Sequence, residues 1–138
     1  KNLTRTDKEL NISMDMQFFD NNGETPQPRD KVNIEALNIT PYPDRFRVFI
    51  EVKVTPFRER PNLLLVARNS DGNIAAELNI IATMHANMEF TMHLRGNADP
   101  AGDYELTAEL FYETRKPPQD KTVQAFTIPE VEDVPDNE

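Results

Sequence analysis

Cysteine is absent from the 138 residues, and so is tryptophan. Without cysteine there is no disulfide framework, no zinc–thiolate site and no thiol nucleophile. The cellular compartment stays open, because cysteine-free chains occur in reducing and oxidising settings alike. Histidine occurs twice, at His85 and His93. Zinc and iron sites need three or four converging ligands, and no further ligand stands at motif spacing, so both imidazoles are expected at the surface. The two serines, Ser13 and Ser70, lie outside any Gly-x-Ser-x-Gly elbow. The four glycines each fall at an apparent turn, which leaves no phosphate-cradling loop. No apolar run approaches the roughly 20 residues of a membrane span. These gaps together lead us to expect a chain that is not an enzyme, carries no cofactor and does not insert into a membrane.

A basic face is also lacking. Net charge is −9, from 15 basic and 24 acidic residues. Residues 1–31 hold five basic and six acidic groups, residues 32–129 ten and thirteen, and residues 130–138 five acidic groups and no base. The short tail thus contributes more than half of the excess. Nucleic-acid binding requires cationic surface to neutralise phosphates, so no nucleic-acid partner is expected.

Strand patterning is abundant. Strict two-residue alternation recurs in place of a 3.6-residue period. Phe46, Val48, Ile50, Val52 and Val54 form one apolar series; Met88, Phe90, Met92 and Leu94 a second; Tyr104, Leu106, Ala108, Leu110 and Tyr112 a third. Each reads as a strand with one buried and one wet face. Val32–Thr40 changes phase once, which places a bulge near Glu35-Ala36. "NLLLVARN", Asn62–Asn69, is apolar on both faces at its centre and reads as a central strand. "SDGN", Ser70–Asn73, is a hairpin turn leading back through Ile74–Ile81. Lys121–Ile128 closes the set, with Val123 and either Ala125 or Phe126 expected in the core. Prolines 41, 43, 56, 61, 100, 117, 118 and 129 fall between these runs, where a missing N–H disturbs no ladder.

Seven strands within residues 32–129 suit an antiparallel two-sheet sandwich. "DPAGDYELTAELFYE", Asp99–Glu113, resembles the sixth strand of immunoglobulin-like and fibronectin-type-III-like domains, where a Pro-x-Gly-x-Tyr turn enters an alternating strand. The resemblance covers about fifteen residues. It implies an immunoglobulin-like sandwich without the cysteine pair or core tryptophan of antibody domains. It also implies that the Tyr104 hydroxyl bonds back to upstream backbone. Such folds host many functions and specify none.

Other features have bland readings beside sharper ones. The loops "DNNGE" (Asp20–Glu24) and "NADPAGD" (Asn97–Asp103) carry oxygen ligands of the kind calcium takes, yet Asn, Asp and Gly are also ordinary turn residues. Asn2, Asn11 and Asn38 head Asn-x-Ser/Thr triplets, which matter only in a secretory setting. Phe49 and Phe111 fall on the wet phase of their strands and are candidate docking points. A carboxylate pair of the glycosidase type escapes sequence detection, although a compact sandwich offers such a pair little cleft.

One strand stands outside the seven. In "ELNISMDMQFFDNNGE", Leu10, Ile12, Met14, Met16 and Phe18 alternate with polar residues without a break. Five apolar side chains left in water forgo roughly 1.5 kcal/mol or more each, and an unpaired strand invites aggregation. Three readings follow: an eighth strand covering an edge of its own sandwich, pairing with the edge of another subunit as in strand addition, and a disordered leader whose alternation is accidental, which these costs disfavour. The expected organisation is an N-terminal strand and Pro-containing linker over 1–31, the sandwich over 32–129 and an acidic tail over 130–138. The expected role is a protein-interaction or structural module whose partner is a protein, copies of itself included. A carbohydrate- or calcium-binding sandwich using its end loops is the alternative.

Overall fold

The computed structural model describes residues 25–96 and 98–131. The stripe from Leu10 to Phe18 and most of the acidic tail lie outside the described residues. Seven strands build two antiparallel sheets: β1 (Ile34–Pro41), β2 (Arg47–Val54), β3 (Asn62–Asn69), β4 (Ile74–Ile80), β5 (Asn87–His93), β6 (Gly102–Phe111) and β7 (Asp120–Ile128). One sheet has the order β1-β2-β5 and the other β4-β3-β6-β7. The all-β sandwich expected from the alternation is therefore present. Among the described residues no helix is long and apolar enough to cross a membrane.

The core follows the alternation. Val48, Ile50, Val52 and Val54 of β2 face Leu63, Leu65 and Ala67 of β3 and Leu106, Ala108 and Leu110 of β6, all within one buried cluster. The register of β1 against β2 shifts between Ile34 and Ala36, where the sequence changes phase. β3 is a central strand, and Leu64 and Val66 are buried on its outer face as well. Gly72 turns the β3–β4 hairpin at φ +86°, a conformation open to glycine.

Two core expectations need correcting. Phe46 is 41% exposed because β2 starts one residue later; its N–H is held by the Asp44 carboxylate in the β1–β2 turn, and its ring lies at the rim. Val123 is 50% exposed because its register partner Thr107 points outward from β6. The inward phase of β7 is the even-numbered one: Phe126 stacks on Tyr104 with ring centroids 5.1 Å apart, and Ile128 is buried. One further refinement concerns Pro41, which ends β1 rather than following it; β1 is an edge strand, where proline is tolerated.

The ends can be named from the register. Val54, Asn62, Ile80, Asn87, Phe111 and Asp120 mark a lower end, with Pro41, Asn69, His93 and Gly102 at the upper one. Chain entry is at the lower end. Gln27 forms a parallel bridge with Phe57, its N–H donating to the Pro56 carbonyl at 2.8 Å and its carbonyl accepting from Arg58 at 3.0 Å. A single 3-10 turn, Arg29–Lys31, then leads into β1.

Candidate docking groove between β4 and β5

Among the described residues four strands are sheet edges, and they meet in two pairs. β1 lies over β7 on one side, and β4 lies over β5 on the other. The first side is latched by hydrogen bonds across the sheets. The Ile34 N–H donates to the Asp120 carboxylate at 2.8 Å, and the Gln119 side-chain amide donates to the Val32 and Arg29 carbonyls at 2.6 and 2.7 Å. At the upper end Arg45 donates to the Pro129 carbonyl at 2.9 Å.

The β4/β5 side is different. Pairing with β3 sets Ala76, Leu78 and Ile80 on the inner face of β4, opposite Ala67, Leu65 and Leu63. Pairing with β2 sets Met88, Phe90 and Met92 on the inner face of β5, opposite Val52, Ile50 and Val48. Met92 is buried, but Ala76, Leu78, Ile80, Met88 and Phe90 are only partly so. Ile74, Ile81 and Met84, at the ends of β4 and in the β4–β5 connection, are 54%, 67% and 62% exposed. A trough therefore runs along the gap. Its upper hollow, about 390 Å³, is lined by Ile74, Leu78 and Met92 among others. Its lower hollow, about 680 Å³, is lined by Ile80, Met84, Met88 and Phe90 and continues over the β5 edge to Glu89, Glu51 and Lys53.

Local chemistry explains why the gap persists. At the upper end the Arg95 N–H reaches the Ala75 carbonyl at 2.9 Å and ties the edges together there. At the lower end the β4–β5 connection turns through Ala82 at φ +53°, held by its N–H to the Asn62 side-chain oxygen at 2.8 Å. The Thr83 N–H then bonds to the Pro61 carbonyl, and Val54 donates to the Ala86 carbonyl. The connection is thus fastened beneath the core instead of folding over the gap. Inner side chains on an edge strand have a neighbour on one flank only, so alternation alone cannot bury them fully.

The remaining candidate residues are dispersed. In the upper loops Asp99 accepts from the Ala101 N–H at 3.1 Å and from Arg45 at 3.3 Å, which together hold its carboxyl below the usual carboxylate range. Asp103 accepts from the Thr127 hydroxyl at 2.8 Å. These carboxylates are committed to protein donors, and among the described residues no three His, Cys, Asp or Glu side chains group so as to hold a metal ion. His85 and His93 are both exposed, the first beside the lower hollow and the second beside the upper. Phe49 is half-buried against Tyr42, edge to face at 6.5 Å, and Phe111 is half-buried. Asn38 is exposed on β1. Tyr104 does what the resemblance implied: its hydroxyl donates to the Pro100 carbonyl at 2.6 Å.

Charge concentrates at the chain's entry. Arg29 bonds to Glu59, pairs with Glu113 at 3.4 Å and lies over the Tyr112 ring at 4.7 Å. Its hydrogen bond keeps Glu59 below the ordinary carboxylate range. Burial, then the Glu59 charge, pushes the Tyr112 hydroxyl up to about 12. This cluster fixes residues 25–31 to the lower end. The linker's prolines gave no hint of that anchorage, whereas Arg29 and its acidic partners are thirty and more residues apart in sequence.

No known family model matches the sequence, and no curated protein matches it. Solved structures do resemble it in fold. A glycosyl hydrolase family 2 member from Bacteroides cellulosilyticus aligns at a TM-score of 0.54 and 9% identity, over 70% of this chain and 14% of that one. A second, from Bacteroides cellulosilyticus DSM 14838, aligns at 0.51 and 7%, over 70% and 15%. The β-glucuronidase of Bifidobacterium dentium in complex with coumarin-3-O-glucuronide aligns at 0.48 and 19%, over 70% and 18%. This chain thus matches less than a fifth of the length of those proteins. At such identities the likeness to the two glycosyl hydrolase family 2 members shows a shared fold alone.

Proposed function

We propose that the chain is a non-catalytic interaction module whose β4/β5 groove accepts an extended polypeptide strand. The observation that carries this proposal is the asymmetry of the sandwich: both pairs of edges are tied at their ends, but β4 and β5 leave five half-buried apolar side chains between them, against two on the β1/β7 side. Strand addition uses the main-chain groups of an edge for affinity and the spaces between alternate side chains for register. β5 offers both, since it pairs with β2 alone among the described strands and its inner residues line the trough.

A small-molecule site is less well supported. Such sites are enclosed and carry a few convergent polar groups, whereas this trough is open along its length. The end-loop reading for calcium or carbohydrate is weakened by the prior commitment of Asp99 and Asp103. The likeness to a small part of glycoside hydrolase chains suits an accessory sandwich better than a catalytic unit. We place the sandwich in the immunoglobulin-like class. Strands one, two and five share one sheet and three, six and seven the other, as in that class, with the fourth strand moved to the second sheet. The Tyr104–Pro100 bond supports the same placement.

The test is amide exchange of the full chain, together with ¹H–¹⁵N spectra recorded with a nonapeptide of alternating apolar and polar residues and with its scrambled control. Protected edge amides on β5, or shifts at Leu78, Ile80, Met88 and Phe90 with the alternating peptide alone, support a strand-accepting groove. Unprotected β5 amides combined with no peptide response would refute it.

A further inference from the structure

We infer that the strand seated in this groove is the chain's own Leu10–Phe18 segment, antiparallel to β5. The inference rests on the strand-accepting reading above and names its occupant. Four features of sequence and structure converge on it.

The first is pattern. Leu10, Ile12, Met14, Met16 and Phe18 put five apolar side chains on one face of a strand, and the groove presents a row of partly buried apolar residues to receive them. The second is length. Nine residues at about 3.4 Å each extend roughly 30 Å, enough to run beside the seven residues of β5.

The third is reach. The anchored stretch begins at Thr25 beside Pro56, at the lower end, which is also where β5 begins. Six residues separate Phe18 from Thr25. They cover up to about 23 Å, and a strand added outside β5 lies only about 10 Å from β2. The fourth is direction. A segment whose C-terminal end must return to the lower end runs downward, while β5 runs upward from Asn87 to His93. Antiparallel pairing follows, and it is the pairing a short connection permits. A second copy of the chain carries the same stripe, but the anchorage of residues 25–31 leaves a tether suited to its own groove.

The absence of native cysteine gives a clean experiment. In the full chain, single cysteines at Ser13, Asp15 or Gln17 are paired with single cysteines at Glu89, Thr91 or His93, the outward positions of segment and strand. Mild oxidation followed by denaturing electrophoresis reads the result. The expected outcome is one set of pairs of constant sequence sum that closes within the monomer to near completion. A disulfide-linked dimer would overturn the assignment in favour of a second copy. A parallel readout separates this inference from the one beneath it. Exchange of the β5 edge amides should rise about tenfold or more in the Ile12→Asp, Met14→Asp variant, while β3 and β6 amides keep their protection. No crosslink with protected β5 amides would overturn the occupant and keep the groove. No crosslink with unprotected amides would remove both.

Discussion

The β1/β7 side and the β4/β5 side of the sandwich begin from comparable material, two edge strands apiece, and end differently. On the first, the Ile34 N–H of β1 donates to Asp120 at the start of β7 and Arg45 donates to the Pro129 carbonyl just past its end, so the edges are tied at both ends. On the second, the bonds lie at the ends of the trough, and apolar side chains between them keep part of their surface exposed. Cross-sheet bonds close the ends of both sides; the difference lies between them, where Ile34 and Ile39 are half-buried on β1 against Ala76, Leu78, Ile80, Met88 and Phe90 on β4 and β5.

The comparison can be broken most forcefully at the core's closed margin. Ile128→Ala on β7 removes a fully buried side chain and should cost about 2–5 kcal/mol in urea unfolding. Val123→Thr, on the same strand's outer face, should change stability by less than about 0.5 kcal/mol. Equal effects would mean that β7 is not seated as described. Next in size is the latch. Asp120→Ala leaves the Ile34 N–H without its acceptor and should cost about 1–3 kcal/mol, with faster amide exchange at the start of β1. Tyr104→Phe deletes one buried hydrogen bond to Pro100 and should cost about 1 kcal/mol while leaving the aromatic stack on Phe126 in place.

The smallest effects are those of pH, and their signs differ between the two limbs. Asp99 is depressed by the Ala101 N–H and by Arg45, so its contribution is present above the unfolded carboxylate value and is lost as pH falls through the folded one. Asp99→Asn should flatten the acid limb of a stability–pH curve. Tyr112 is raised to about 12, chiefly by burial, so its contribution is intact below about 10 and is lost as pH climbs toward 12. Tyr112→Phe should flatten the alkaline limb instead. Identical curves for a variant and the wild type would detach that group from the pH response.

Much of the fold is legible along the chain. The phase change at Glu35-Ala36, the Ser70–Asn73 turn, the doubly apolar β3 and the tyrosine that bonds back to Pro100 are local features, each readable within ten or so residues. Phe46 and Val123 escape the pattern because alternation gives a strand's two faces without saying where the strand starts or which face its neighbour turns inward. The groove was beyond reach for a related reason. Met88 and Phe90 carry the same pattern as Val48 and Ile50, yet only the latter lie on a strand flanked on both sides.

By itself, the sequence settled the seven strands between residues 32 and 129, most of their inward faces, the principal turns and the lack of thiol chemistry, because these depend on backbone periodicity and residue type. Tertiary structure decided which edges meet, which pair leaves a trough and where Thr25 enters, since those depend on contacts between residues far apart in the chain. Apolar pattern tells a strand that it must be covered; only the arrangement of the sheets determines whether anything within them covers it.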